Sequence, residues 1–582
     1  MPPRTTFSRA CDEITTLFLN LGVPHRFPSP RSASETQGRL KQALRCMPLE
    51  SLDVNPFSID NLAETLESRN DSKVALFWIP IQVLDKLGDP IILEGDNAAA
   101  LRQCAVDCIL PRCTLIIDWL DFLAPPNAYV CCSADNMHLL VSKLLAVLHR
   151  LEDSLALSAT LSMRMHALAF KLWFGAPTVG SGLSPKDLAL YHEFVLKSLA
   201  PMLDMTKLQR SGVPSNITKW RDTIAEAALV VAKRPRAFFR LAVRRIEELF
   251  ILPHNLSCFA YSYLYFLNYC AGDYLAIPNH ANDVVLSLVQ FARVFGELKF
   301  GHQGACEACG VLYQIWNTEK DVGSRALCWA LRAGILPIML SLHRKEGHGH
   351  LTDGLNFIAE RSISVPVARA LRLGGPGISC RAAGIPKHLA TAMTECLIDR
   401  PKWQLEYWHQ PCGYEKCSAG GDTVHPSRRL YHCSCLRNYC SAECQRAHWP
   451  EHKKKHTPNR LSGPQETILQ GELPSSDALF VSICADKYVC KSAPRLVSEA
   501  LRLFVPKIWT RPPLYTVDID FARVPMGHKV VVSQGEPHQT EPMVRVRASV
   551  NSSVGKWHVA IVDVCTQSLS SLQDSYSSVA AT

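Results

Sequence analysis

At 582 residues, 47% hydrophobic and 20% charged, the chain is too long for one ordinary core and too apolar for wholesale disorder. The net charge of +9 would suit a polyanion partner if concentrated in one stripe; residues 401–460 hold ten Lys or Arg against five Asp or Glu, a surplus that a solvated basic face also explains. Twenty-three cysteines without an export signal argue against a disulfide framework and leave core thiols or metal ligands.

In the N-terminal stretch, Asp12 and Glu13 interrupt the only apolar run, which predicts no secretory signal and an intracellular protein of the nucleus or cytoplasm. Up to about residue 400 apolar residues recur at helical spacing, and residues 1–140 read as an N-terminal helical region. Residues 141–400 read as a helical-repeat region, with stripes over Asp187–Leu203, Trp220–Phe250, Asp283–Leu298 and Ser324–His343. The apolar run Phe250–Cys270 is broken by Pro253, His254, Asn255 and Asn268, so it predicts a buried helix and no membrane span. Three phrases echo one another before a stripe: Arg210 to Pro214, Arg332 to Pro337 and Arg381 to Pro386, in which Gly ends one helix and Pro opens the next. Their glycines lie 122 and 50 residues apart, compatible with skipped copies of a period of about 40 residues. The phrase RAGILPIMLSL resembles a segment of an armadillo repeat, which implies an armadillo/HEAT-like array, with an irregular helical bundle as the other reading.

Cys306 and Cys309 stand inside a helical pattern and read as core thiols. The stretch from Gly347 to Gly354 reads as a polar loop, with His343, His348 and His350 lacking the cysteines or carboxylates that would complete a metal cage. The segment 405–460 differs from all that precedes it. Six cysteines fall within 33 residues of polar sequence, paired as Cys412 with Cys417, Cys433 with Cys435 and Cys440 with Cys444, followed by His452 and His456. Short hooks bring soft ligands to a tetrahedral ion in pairs, and i,i+4 spacing puts the last two pairs each on one helix face. Eight candidate ligands make two zinc sites. A segment with so few aliphatic residues depends on metal for its folding free energy, on the order of 10 kcal/mol per ion. Beyond a turn-rich linker at 457–464, residues 465–565 read as a small α+β domain. It begins with a helix over Ala493–Phe504, and strands over Leu514–Phe521, Lys529–Ser533, Met543–Val550 and Lys556–Val564 form an antiparallel sheet. The Ser-rich tail 566–582 reads as disordered.

The phrase from Tyr439 through Cys440, Cys444, Gln445, Trp449 and His452 to His456 resembles the MYND zinc finger. The resemblance implies interleaved ligation: Cys412, Cys417, Cys440 and Cys444 on one zinc, and Cys433, Cys435, His452 and His456 on the other. Two departures stand out. The first hook is C-x4-C where the commoner family form is C-x2-C, and the second is C-x-C, so that His432 competes with Cys433 as the partner of Cys435. His448 is an extra imidazole, exposed or behind the ligands. With every ligand supplied by protein, both ions are structural and no vertex remains for water or substrate. MYND fingers dock short, often proline-containing peptides, and Gln445 and Trp449 hold the positions of the family's contact or core residues.

The fold class expected is therefore mainly α: a helical-repeat array followed by a zinc-stapled MYND finger and a small α+β C-terminal domain. The function expected is a protein-interaction or regulatory adaptor and not an enzyme. Two alternatives come from other classes. A divergent SET-type lysine methyltransferase would need its Asn-His phrase after the finger, but Asn279-His280 precedes it. A nucleic-acid-binding regulator would use Lys453, Lys454 and Lys455.

Overall fold

The computed structural model describes scattered positions between 35 and 83, then residues 107, 109–124, 134–155, 159–176, 183–200, 214–250, 257–275, 277, 279–298, 301–319, 324–346, 349–362, 364–374, 402, 412–417, 431–432, 438–455, 475–503, 513–521, 527–534, 543–551 and 556–561. The chain divides into two compact units, Met1–Leu275 and Ala276–Thr582. The fold is mainly helical.

In the first unit the helices are α1 (Cys113–Leu123), α2 (Ala134–Leu155), α3 (Ala159–Phe174), α4 (Pro185–Leu199), α5 (Pro214–Ala232), α6 (Pro235–Phe250) and α7 (Ser257–Tyr269). Helix α4 starts where Ser184 accepts a hydrogen bond from the Asp187 N–H at 3.2 Å, with Pro185 in its first turn. The stripe Trp220–Phe250 is two helices and not one. Lys233 takes a left-handed conformation (φ 61°) and Pro235 opens α6, so the hydrogen-bond ladder breaks while the apolar spacing resumes. Helices α3, α6 and α7 meet in an aromatic core. Trp173 stacks on Tyr263 with centroids 5.0 Å apart, and Phe170 meets Phe238 edge-on at 5.3 Å. Of the run Phe250–Cys270, α7 buries Ala260, Tyr263, Leu264, Phe266 and Leu267, whereas 251–256 lie outside the described residues. Among the described residues no single helix is long and apolar enough to cross a membrane.

The second unit continues with α8 (Asn282–Glu297), α9 (His302–Thr318), α10 (Arg325–Arg332), α11 (Ile335–Glu346), α12 (Gly349–Arg361) and α13 (Val365–Gly374). The stripe Ser324–His343 is again two helices, because Gly334 is left-handed (φ 87°) and ends α10. Pro214 is the first residue of α5 as the echo requires, but Pro337 is the third residue of α11; Gly212, Gly384 and Pro386 lie outside the described residues. Most of the expected polar loop is helix: α12 starts at Gly349 and buries Leu351, Leu355 and Ile358, an apolar stripe that the flanking Gly and His letters obscure. His343 is buried on α11, while His348 lies outside the described residues. Cys306 and Cys309 are buried on α9, and burial raises the Cys309 thiol pKa, as core thiols require. At the start of α10 the buried Glu319 carboxylate accepts from the Ala326 N–H at 3.2 and 3.3 Å, a cap supplied from the end of α9. Helix α8 packs on α11, α9 on α12 and α10 on α13, each on the element three helices later.

The C-terminal part is one helix on a four-stranded sheet. The helix, α15 (Ser475–Leu503), is far longer than the expected Ala493–Phe504 and carries Pro494 inside it. The strands, numbered after a two-stranded ribbon described below, are β3 (Pro513–Asp520), β4 (Gly527–Gln534), β5 (Met543–Asn551) and β6 (Lys556–Ile561), in the order β4-β3-β5-β6. Their positions match the alternation, but β3 and β5 are parallel, so the sheet is mixed and not antiparallel. Alternation fixes which face each side chain takes and leaves strand order open. Val481, Cys484, Val489 and Leu496 of α15 cover Tyr515, Val517, Ile519, Val530 and Val546, and Ala368 of α13 joins the same core. Asp518 and Arg547, opposite one another in register, pair through two bonds of 2.5 and 3.0 Å. The linker 457–464 and the tail 566–582 lie outside the described residues.

Candidate metal centre

Between α13 and α15 lie a short ribbon and a helix. Strands β1 (Tyr431–His432) and β2 (Asn438–Tyr439) pair antiparallel, Tyr431 opposite Tyr439. The chain then bends at Cys440 and Ser441 into helix α14 (Ala442–His452). Ser441 is the cap: its backbone is extended and its hydroxyl accepts from the Cys444 N–H at 3.2 Å. Cys440 therefore precedes the helix and only Cys444 rides on it, in its first turn. This corrects the expectation that the i,i+4 pair shares one helix face. The turn still closes the pair, leaving the two sulfurs 3.5 Å apart. The placement also sets both sulfurs at the helix end whose unpaired N–H groups favour negative charge.

The first hook arrives from 27 residues upstream of Cys444. It is a tight turn in which the Cys417 N–H donates to the Tyr414 carbonyl at 3.0 Å. Cys417 Sγ lies 3.4 Å from Cys440 Sγ and 3.7 Å from Cys444 Sγ. With Cys412, all four sulfurs fall within 4.8 Å of one another. A tetrahedron with metal–sulfur bonds near 2.3 Å has edges of roughly 3.8 Å, so three measured edges fit a zinc sphere and lie far beyond a disulfide bond. The four are free thiols. Burial, and then the neighbouring Cys417, Cys444 and Cys412 sulfurs, push the Cys440 thiol pKa well up, because four close sulfurs resist charging together. A dication among them reverses that preference.

Residues 426–456 match the family model described as the ZMYND11/ZMYD8 MYND zinc finger. The segment fits a MYND-type zinc finger. The match begins after Cys412 and Cys417, so the first hook joins the finger on geometry independent of it. No curated protein and no solved structure gives a match to the chain.

Of the other four candidate ligands, His452 is buried at the last turn of α14, while Cys433, Cys435 and His456 lie outside the described residues. Helix α14 ends at His452 and passes into a 3-10 turn over Lys453–Lys455. His448 is neither exposed nor idle. It is buried, its Nδ1 lies 3.0 Å from the Tyr439 hydroxyl, and its ring stacks on His452 at 5.1 Å. Trp449 divides its ring between the two roles expected of it, edge-on to His452 at 6.0 Å yet 43% exposed. Sequence reasoning passed over Tyr414 inside the first hook, whose ring meets His448 at 5.9 Å. An aromatic between two ligand cysteines was the available signal.

Proposed function

We propose that residues 405–460 form a two-zinc MYND finger that works as a protein-docking module of an intracellular adaptor. Cys412, Cys417, Cys440 and Cys444 hold one ion, and Cys433, Cys435, His452 and His456 the other. The observation that carries the reading is the sulfur tetrahedron standing at the head of the family-matched helix. Bound zinc supplies folding free energy and a rigid frame; the chain's own residues supply the recognition face. On α14 that face comprises half-buried Gln445 and exposed Arg446, Trp449 and Pro450, an aromatic with polar neighbours suited to a short proline-containing peptide. The helical region is the scaffold. Helices α8 to α10 packing on α11 to α13, with starts 53, 47 and 40 residues apart, support three-helix armadillo-like repeats in the second unit. The boundaries 1–140, 141–400, 405–460 and 465–565 remain the proposed division.

The test is metal content joined to binding. Native mass spectrometry of the full chain should find two zinc ions, falling in Cys440→Ser. A proline-containing peptide selected on the wild-type chain should lose binding in Cys440→Ser and in Trp449→Ala. Retention of that peptide by both variants would show that the finger is not the docking element.

A further inference from the structure

We propose that His448 is a positioning residue, tying the three ligand-bearing segments of the finger together, and that the lengthened first hook serves to bring Tyr414 onto it. The proposal rests on the zinc reading above and deepens it. Among the described residues of the finger, those buried are Tyr439, Cys440, His448 and His452; no aliphatic side chain is among them. The relative placement of strand, hook and helix therefore depends on aromatic and imidazole contacts and on the metal.

His448 sits where those segments meet. It lies one turn beyond Cys444 and one turn before His452 on α14. Its Nδ1 lies within hydrogen-bond distance, 3.0 Å, of the hydroxyl of Tyr439, the residue bonded directly to Cys440. Its ring also meets Tyr414, two residues after Cys412 and three before Cys417. One imidazole thus touches a residue beside each ligand pair of the first site and, through the 5.1 Å stack, His452. Tyr439 is fully buried, so its hydroxyl has no solvent to replace a lost partner. The four-residue spacer of the first hook carries Tyr414 between the two cysteines, where its ring reaches His448. Groups behind the ligands that fix ligand orientation change metal affinity by about 10- to 100-fold when removed.

The test uses the full chain and reads zinc affinity by chelator competition, with cobalt(II) substitution reporting the thiolate site in the visible spectrum. Tyr439→Phe keeps the ring and removes only the hydroxyl. Tyr439→Phe and His448→Phe should each weaken zinc binding about 10-fold and shift the cobalt–thiolate bands. The double variant should lose no more than either single one, and His448→Asn, whose amide can take the Nδ1 position, should restore most of the loss. Tyr414→Ala should weaken binding in the same direction. Wild-type affinity and unchanged cobalt bands in Tyr439→Phe would overturn the proposal, as would strictly additive losses in the double variant. A wild-type chain that binds neither metal would overturn the zinc reading itself, a separate and distinguishable result.

Discussion

His192 offers the sharpest quantitative prediction outside the finger. It is 3% exposed on α4, its Nδ1 lies 3.0 Å from the Tyr263 hydroxyl, and Trp173 stacks on that tyrosine. Burial, and secondarily the Arg245 guanidinium, lower its pKa from the ordinary 6.5 to about 4. The folded chain therefore holds this imidazole neutral, whereas the unfolded chain protonates it below about pH 6.5. The unfolded state binds more protons between these values, so stability is complete above pH 6.5 and is lost as pH falls towards 4. The full loss amounts to about 3 kcal/mol, of which about 2 kcal/mol is gone by pH 5. Urea unfolding followed by tryptophan fluorescence at pH 7 and pH 5 measures it, with His192→Gln as the reference that subtracts every other titrating group. Wild type should lose about 2 kcal/mol more than the variant over that interval. Equal losses would refute the reasoning, as would a proton resonance of His192 titrating near 6.5 in the folded protein.

Two glycines separate packing from propensity. A Cβ at Gly374 would run into the Leu331 carbonyl, so Gly374→Ala should destabilise by about 1–3 kcal/mol in thermal unfolding, whereas Gly296→Ala on α8 meets nothing within 4 Å and should be neutral or slightly stabilising. Glu319→Ala removes the acceptor for the Ala326 N–H and should cost about 1–2 kcal/mol, seen also as faster amide exchange at Ala326. A double-mutant cycle on Asp518 and Arg547, both about a third exposed, should return a coupling of no more than about 1 kcal/mol, weakened by salt. Chelation should release zinc and expose Tyr439 and His448 to solvent exchange while the circular dichroism of the remaining helices persists; a global loss of helix would contradict the local role assigned to the metal.

The parts of this molecule written in short-range chemistry were legible in its sequence. Ligand spacing pointed to the finger, and three of the six sulfur–sulfur edges of its first site can be measured directly. Periodicity found the helices and alternation found the strands. What escaped was set by single backbone angles or by distant neighbours. Lys233 and Gly334 each split a continuous stripe into two helices, because amphipathic phase survives a two-residue break that the hydrogen-bond ladder does not. The parallel pairing of β3 with β5 depends on which side of β3 the returning strand takes, which side-chain pattern does not encode. His448 looked spare because its partners, Tyr414 and Tyr439, are 34 and 9 residues away and meet it only once the hook closes.

The chain leaves for the finger from α13 and comes back in α15, and those two helices touch, with Ala368 of the first set into the core of the second. Both flanking helices are thus tied to one core, so a substitution there, such as Ala368→Leu, is expected to disturb the two of them at once.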